Sequence, residues 1–291
     1  MREARLKTLV VVGVGLIGGS FALALKAAGR VDRVVGVGRT RENLQHALDA
    51  GLVDEVAESL ACAAPGADVV LLAAPVGQTG RLMAQLAPCL NGRTIVTDAG
   101  STKQDVVAMA RTFLSMHIAR FVPAHPIAGM ERSGAAAATA ELYRGRTVVL
   151  TPLPETDPAA RDTVRSLWEA CGAQVVEMAP DHHDRVLAAV SHLPHLLAFA
   201  LMDLVGRHAE AETFLRFAGS GFRDVTRIAA SSPEMWRDIC LANREALLAL
   251  VDAYCAELDE VRDLVAQGDG EALARLFARA RQARQRLDQE A

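Results

Sequence analysis

Aromatic residues are scarce in this 291-residue chain: eight Phe, two Tyr and two Trp, 4% in all. With so few, a surface that stacks on nucleic-acid bases is hard to build. Neither sign of charge dominates. Thirty-one Lys and Arg against 35 Asp and Glu give a net charge of −4, the wrong sign for a dedicated nucleic-acid binder. The five cysteines (Cys62, Cys89, Cys171, Cys240 and Cys255) are odd in number and lack CxxC or Cys/His knuckle spacing. This argues against a disulfide framework or a zinc finger and fits a reducing cytoplasm. No run of ~18 apolar residues is free of charge, which argues against a membrane-spanning helix. The short apolar run after Lys7 breaks at Gly13 and Gly15 and has no small-residue cleavage site behind it, so it is not a signal peptide.

What is present is ample apolar material. Hydrophobic residues make up 51% and charged residues 23%, enough to bury a large core and to exclude disorder as the main state. At ~150 residues per domain the length suggests two domains. Up to about residue 180, Val-rich runs alternate with helix-length segments. The runs are Leu9 to Val12, Arg33 to Val37, Asp68 to Ala73, Thr94 to Thr97, Arg120 to Val122, Thr147 to Thr151 and Gln174 to Met178. Continuously apolar runs spaced by helices predict a parallel sheet buried on both faces.

Beyond Pro180 the strand signals stop. Asp181 is predicted to cap a helix running towards His208 and bent at Pro194. Ser231-Ser232-Pro233-Glu234 predicts the capped start of a helix of about 35 residues reaching Gly268, with a last helix from Glu271. The predicted architecture is α/β, a doubly wound sheet in residues 1–180 followed by an all-helical domain in residues 181–291.

Gly13-Val14-Gly15-Leu16-Ile17-Gly18 stands between a Val run and a helix. The first glycine suits a tight turn, the second admits a pyrophosphate to the backbone, and the third allows close helix–strand packing. The acid expected ~20 residues on, which would hold ribose hydroxyls and repel a 2′-phosphate, is missing. Gly38-Arg39-Thr40-Arg41 stands there instead. These residues suit a 2′-phosphate, or are simply a solvated arginine pair before a helix.

Three further segments carry chemistry. Asp98-Ala99-Gly100-Ser101-Thr102-Lys103 follows a strand; Ser101 and Lys103 offer a donor and a cation to a ligand, or Ser101 is a helix cap. His125, in Ala124-His125-Pro126, also follows a strand and can take a proton near neutrality. Oxidising an alcohol with a nicotinamide needs such a base. In Ser191-His192-Leu193-Pro194-His195, with His182-His183 upstream, the histidines face an interdomain cleft or hold a metal, although no carboxylate completes a ligand set. Gly219 to Arg227 is predicted as an inter-helix loop. Its Arg223 and Arg227 recognise a carboxylate or are solvated beside Asp224.

In their order and spacing, GVGLIGGS, DAGSTK, HPIAGMERSG, SHLPH, GFRDVTR and MWRDI…N resemble the prephenate and arogenate (cyclohexadienyl) dehydrogenases of tyrosine biosynthesis, over about residues 9 to 267. The resemblance implies a Rossmann domain followed by a helical dimerisation domain. It implies NAD(P)-dependent oxidative decarboxylation of prephenate to 4-hydroxyphenylpyruvate, with arogenate as the alternative substrate. It also implies His125 as the catalytic histidine and Ser101 as a residue that orients it or touches substrate. His195 and Arg227 become substrate-cleft residues, with Ser191, His192, Arg223 and Glu131 in supporting positions and no metal. The candidate cofactor set is Gly13, Gly15, Leu16, Ile17, Gly18, Gly38, Arg39, Thr40 and Pro75, with NADP+ favoured over NAD+. A cytoplasmic homodimer acting on a small molecule, without nucleic acid or membrane, is expected. Two other readings are a β-hydroxyacid dehydrogenase-like reductase and a non-catalytic dinucleotide sensor. The first needs a lysine in the helical domain, and Asp181 to Gly268 contains none. The second needs neither His125 nor the arginines.

Overall fold

The computed structural model describes residues 5–130 and 134–290. Its Val-rich runs form strands because each can be buried on both sides. Six lie in one parallel sheet: β1 (Leu6–Val12), β2 (Val31–Val37), β3 (Glu55–Val56), β4 (Val69–Leu72), β5 (Ile95–Asp98) and β6 (Phe121–Val122), in the order β3-β2-β1-β4-β5-β6. Leu9 and Val11 of β1 enter one apolar cluster, while Val10 and Val12 enter the other. The helices between strands are α1 (Leu16–Ala27), α2 (Arg41–Asp49), α3 (Leu60–Ala63), α4 (Thr79–Leu86) and α5 (Gln104–Phe113). Phe21 and Leu25 of α1 cover the first face; Met83, Leu86, Val106 and Ala110 of α4 and α5 cover the second. This is a doubly wound, Rossmann-type arrangement. Its strand order reverses between β1 and β4, where ligand crevices form at the carboxyl ends.

Two strands carry no sequence signal. β3 has only two residues. β7 (Ala124–Pro126) is flanked and ended by proline, which is tolerated because β7 lies at a sheet edge. It pairs antiparallel with β8 (Thr147–Leu150), which pairs parallel with β9 (Gln174–Glu177), so a second, three-stranded sheet exists. His125 therefore sits within a strand, opposite Val149, and not beyond a strand's end. Helix α6 (Pro158–Ala170) precedes β9 and places Trp168 against Phe21 and Tyr143.

The helical part departs from expectation in three places. First, Asp181 does not cap its helix. Ala179 is the cap residue, Pro180 is the first helical residue, and Asp181 pairs with exposed Arg185 inside α7 (Pro180–Leu187). The helix then passes through one π turn, Ala188–His192, into α8 (Leu193–Gly206). Pro194 has no N–H to give to the preceding turn, and the wide turn sits immediately before it. Second, the segment around Arg223 is helical and not a loop. After α9 (Ala211–Arg216) come α10 (Ser220–Thr226) and a 3-10 turn, Arg227–Ala230. Third, the long helix is two. Ser232 caps α11 (Pro233–Ala242), and Asn243, at φ −103° and ψ 33°, ends it before α12 (Arg244–Gln267). The last helix is α13 (Gly270–Glu290), and Ala135–Ala137 is a 3-10 turn.

By internal contacts the chain forms a larger unit ending at Arg244 and a smaller one of α12 and α13 beginning at Glu245. Helices α7 to α11 thus group with the sheets and not with the last two helices. Among the described residues, Pro180–Gly206 in the larger unit is the one helical stretch long and apolar enough, by length and composition, to cross a membrane. The mean hydropathy of its most apolar window is 1.5, and only 22% of that window is buried.

Candidate active site

The glycine turn lies where β1 hands over to α1. Gly13 has φ +97°, and a Cβ there would stand 2.5 Å from the Ala73 carbonyl oxygen. A Cβ on Gly18 would meet the Gly13 oxygen at 2.3 Å and Val11 at 2.6 Å, whereas one on Gly15 would meet nothing within 4 Å. Close packing thus accounts for the outer glycines, and open space in front of α1 for the middle one. The α1 N-terminus has no side-chain cap and no acid in its first turn, so its N–H groups are available to a phosphate. Leu16 and Ile17, partly exposed, form that turn. The Gly13 N–H bonds the Val37 carbonyl, so exposed Gly38, Arg39 and Thr40 follow directly beside the turn, and exposed Pro75 follows the neighbouring strand β4. These residues fit a dinucleotide: a cradle for the pyrophosphate, no acid where the adenine ribose would lie, and cations nearby.

His125 stands next to a chain of titratable groups. Its Nδ1 lies 2.8 Å from His183 Nε2, and His183 Nδ1 lies 2.8 Å from Asp184 Oδ1. The Asp184 carboxylate also accepts the N–H groups of Lys103 and Gln104, both at 2.8 Å, and so caps α5 from α7. Burial alone would raise the Asp184 carboxyl; the bonds from His183, Gln104 and Lys103 outweigh it and hold the carboxyl below its ordinary value. A carboxylate only accepts, so His183 Nδ1 carries a proton towards it. Burial keeps His183 itself below its ordinary value, against the pull of Asp184. His183 is therefore neutral, and its Nε2 accepts a proton from His125 Nδ1. That leaves a lone pair on His125 Nε2. Burial, reinforced by His183, Lys103 and His192, lowers His125 well below 6.5, so the lone pair persists at neutral pH.

The backbone at His125 is clamped as well. Lys103 Nζ pairs with Asp98 Oδ2 and donates to the Ala124 carbonyl at 2.8 Å; Asp98 Oδ1 accepts the Ala124 N–H at 3.1 Å. The Gly100 N–H also bonds Asp98, and a Cβ on Gly100 would stand 2.9 Å from that carboxylate. Gly100 is therefore required for room and not for an unusual backbone. Lys103, fully buried, is no free cation for a ligand. Ser101 is partly exposed and does not cap α5, and it is His183 that bonds His125 Nδ1.

A second cluster lies on α8 and α11. His195 stacks on Trp236 with ring centroids 3.6 Å apart, and its Nδ1–H donates to the Ser191 carbonyl at 2.9 Å. The buried Trp236 indole N–H has no partner among the described residues. Burial lowers His195, the Ser191 bond opposes, and the nearby Arg227 charge lowers it further. The Arg227 charge is thus felt at His195. Arg223 is exposed and bonds the Ala218 carbonyl at 3.3 Å. Buried His192 is pushed down to about 4, chiefly by burial. Glu131 lies outside the described residues. Among the described residues no cluster of His, Cys, Asp and Glu could hold a metal.

Sequence reasoning missed Asp184, and with it the pairing of His183 with Asp184 and of Lys103 with Asp98. The only signal for the first pair was an unexplained His182-His183.

Comparison with known proteins gives a consistent result. The model described as prephenate dehydrogenase, nucleotide-binding domain, matches residues 21–177, and that described as prephenate dehydrogenase, dimerization domain, matches residues 179–279. The prephenate dehydrogenase of Bacillus subtilis is 40% identical over 96% of this chain and 76% of its own. The cyclohexadienyl dehydrogenase of Zymomonas mobilis is 38% identical over 96% and 95%. A crystal structure of Aquifex aeolicus prephenate dehydrogenase with hydroxyphenyl propionate and NAD+ superposes with a TM-score of 0.91 at 34% identity, over 98% of this chain and 100% of that one. With both family models matched in sequence order over nearly its whole length, the chain belongs to the prephenate dehydrogenase family.

Proposed function

We propose that this enzyme oxidises and decarboxylates prephenate to 4-hydroxyphenylpyruvate and CO2, with reduction of NAD(P)+. The observation that carries the reading is the bonded chain His125–His183–Asp184, which leaves His125 Nε2 with its lone pair, in a protein that also holds the dinucleotide cradle. When bound, the dinucleotide supplies the hydride acceptor. His125 Nε2 accepts the proton of the ring 4-hydroxyl as that carbon becomes a carbonyl. Loss of CO2 returns an electron pair to the ring, and the His125 imidazolium gives its proton back to the ring oxygen, now phenolic. Aromaticity drives this step, so the protein needs only to hold the substrate and move one proton. Ser101, partly exposed beside this site, is left as a contact to the substrate. The test is reduced-nicotinamide absorbance on mixing protein and prephenate with NADP+ and, separately, with NAD+. No turnover with prephenate or arogenate would overturn the reading. A kcat/KM for arogenate far above that for prephenate would make arogenate the substrate.

Prephenate carries two carboxylates, and Arg227, whose charge acts on His195, supplies the cationic end of the cleft, with Ser191, His192 and Arg223 as further contacts. Arg227→Ala is expected to raise KM for prephenate about tenfold with kcat little changed, the low end for a charge-assisted contact at an exposed site. Steady-state kinetics decide it. Loss of kcat at constant KM would assign Arg227 to the transition state or the fold.

NADP+ is the preferred cofactor in this reading, because Gly38 stands where an acid would repel a 2′-phosphate and Arg39, Thr40 and Arg41 offer donors. The expected preference is ~10-fold, the exposed end of the range for such contacts. Gly38→Asp/Arg39→Ile should reverse it. An NAD+ preference in the wild type, or a ratio indifferent to the double change, would show that Arg39 does not read the phosphate.

The functional division near residue 180, where the two family models meet, goes with assembly as a homodimer in the cytoplasm. The apolar helical stretch through α8 leaves Val190 69% and Leu204 65% exposed, and Leu248 and Val265 of α12 are exposed too. Apolar surface on this scale marks an interface. Sedimentation should give about twice the 31.0 kDa chain mass; a stable monomer at micromolar concentration would contradict this.

A further inference from the structure

Asn243 ends α11, is buried to 3% exposure, and touches two elements of the site at once. Its Nδ2 lies 2.7 Å from the Asp184 carbonyl oxygen and 3.1 Å from His192 Nδ1. A carbonyl oxygen only accepts, so the amide atom facing it must be the nitrogen; a flipped amide would set oxygen against oxygen. The same nitrogen therefore meets His192 as a donor, with its second hydrogen. His192 Nδ1 must then be the unprotonated nitrogen, and the ring proton sits on Nε2. That N–H has no protein partner among the described residues, although the His192 side chain is almost entirely buried.

We infer that Asn243 is a positioning residue that holds His192 as the Nε2-protonated tautomer and so presents one neutral hydrogen-bond donor to the anionic substrate. The inference rests on the proposed reaction only for the identity of that anion. Through the Asp184 carbonyl, Asn243 also ties this donor to the residue whose carboxylate aligns His183 and His125. A single amide thus sets His192 and the base in register. The break between α11 and α12 follows, because a continuous helix would not leave Asn243 at φ −103°, ψ 33°. The charged and titratable groups acting on His192 are Asp184 and His183 from α7 and His195 from α8. Burial outweighs the attraction of Asp184, so the ring stays neutral across pH 5–8 and donates without adding charge.

The test uses the full chain with 15N-labelled histidine. Long-range 1H–15N spectra should show His192 in the Nε2–H form in the wild type, assigned by its loss in His192→Gln. Asn243→Asp replaces the donor by an acceptor. It should move the His192 proton to Nδ1, raise KM for prephenate about tenfold with a smaller change in kcat, and bring a new ionisation into the pH profile of KM. Asn243→Ala, which neither donates nor accepts, should give mixed tautomers and a raised KM without the new ionisation. It also stands in if the Asp variant does not fold. A wild-type His192 protonated at Nδ1, or a tautomer and KM unmoved in Asn243→Ala, would overturn the inference. If the wild type did not turn over prephenate, the proposed reaction would fail, while the spectra would still decide the role of Asn243.

Discussion

His125→Asn is expected to lower kcat by ~10²–10⁴ while leaving dinucleotide affinity unchanged. Asparagine can still donate towards His183 Nε2, so the chain of bonds to Asp184 has a partner and the fold is spared. What is lost is the lone pair that takes the 4-hydroxyl proton. The glycine cradle and α1 are elsewhere in the sheet and keep their geometry. The wild-type pH profile should agree. The base works only when unprotonated, and its pKa lies well below 6.5. Activity should therefore hold as pH falls through 6.5 and drop only on passing the lowered value. Turnover of His125→Asn within tenfold of wild type, or an acid limb centred above 6.5, would remove His125 from this role.

Lys103→Met is expected to lower the free energy of unfolding by ~3–5 kcal/mol, the usual penalty for removing one partner of a buried ion pair. The chain has three lysines, Lys7, Lys26 and Lys103, and Lys103 is fully buried against Asp98. Without it the Asp98 carboxylate keeps the N–H groups of Gly100 and Ala124 but loses its counter-charge. The Ala124 carbonyl also loses its donor, so the strand carrying His125 loosens and kcat falls together with stability. Lys103→Met/Asp98→Asn should recover part of the stability, because the stranded charge is gone. Denaturant titration of wild type, both single variants and the double variant gives the coupling directly. A Lys103→Met cost below ~1 kcal/mol would contradict a buried, mutually dependent pair.

The parts legible in the sequence are those fixed by near neighbours. The glycine turn requires a glycine at a left-handed position and another at a close helix–strand contact, and both demands fall within six residues. The parallel strands were visible because burial on both faces selects unbroken Val, Ile and Leu. His125 was singled out because a nicotinamide-dependent oxidation calls for a base and the histidine stands in the HPIAGMERSG motif, although it lies within β7 and not after a strand. Hidden were β3, too short for any pattern, and β7, whose prolines mask a strand at a sheet edge. Hidden too was the break at Asn243, since the apolar spacing of the helices on either side continues across it.

By itself the sequence determined the family, the Rossmann-type half and the helical half, and it singled out His125 as the proposed base, because each follows from local spacing or from motifs in fixed order. Only the tertiary structure decided what aligns that base. His183 meets His125 from 58 residues away, Asp184 meets the Lys103 N–H from 81, and Asn243 meets Asp184 from 59. Bonds over such separations leave no periodicity in the chain, and side-chain type does not reveal them. Lys103 looks like a cation offered to a ligand until the fold buries it beside Asp98, and His183 looks like a metal ligand until its nitrogens are seen to be occupied. Burial and partner choice, set by how the strands and helices come together, turn these ordinary residues into parts of one site.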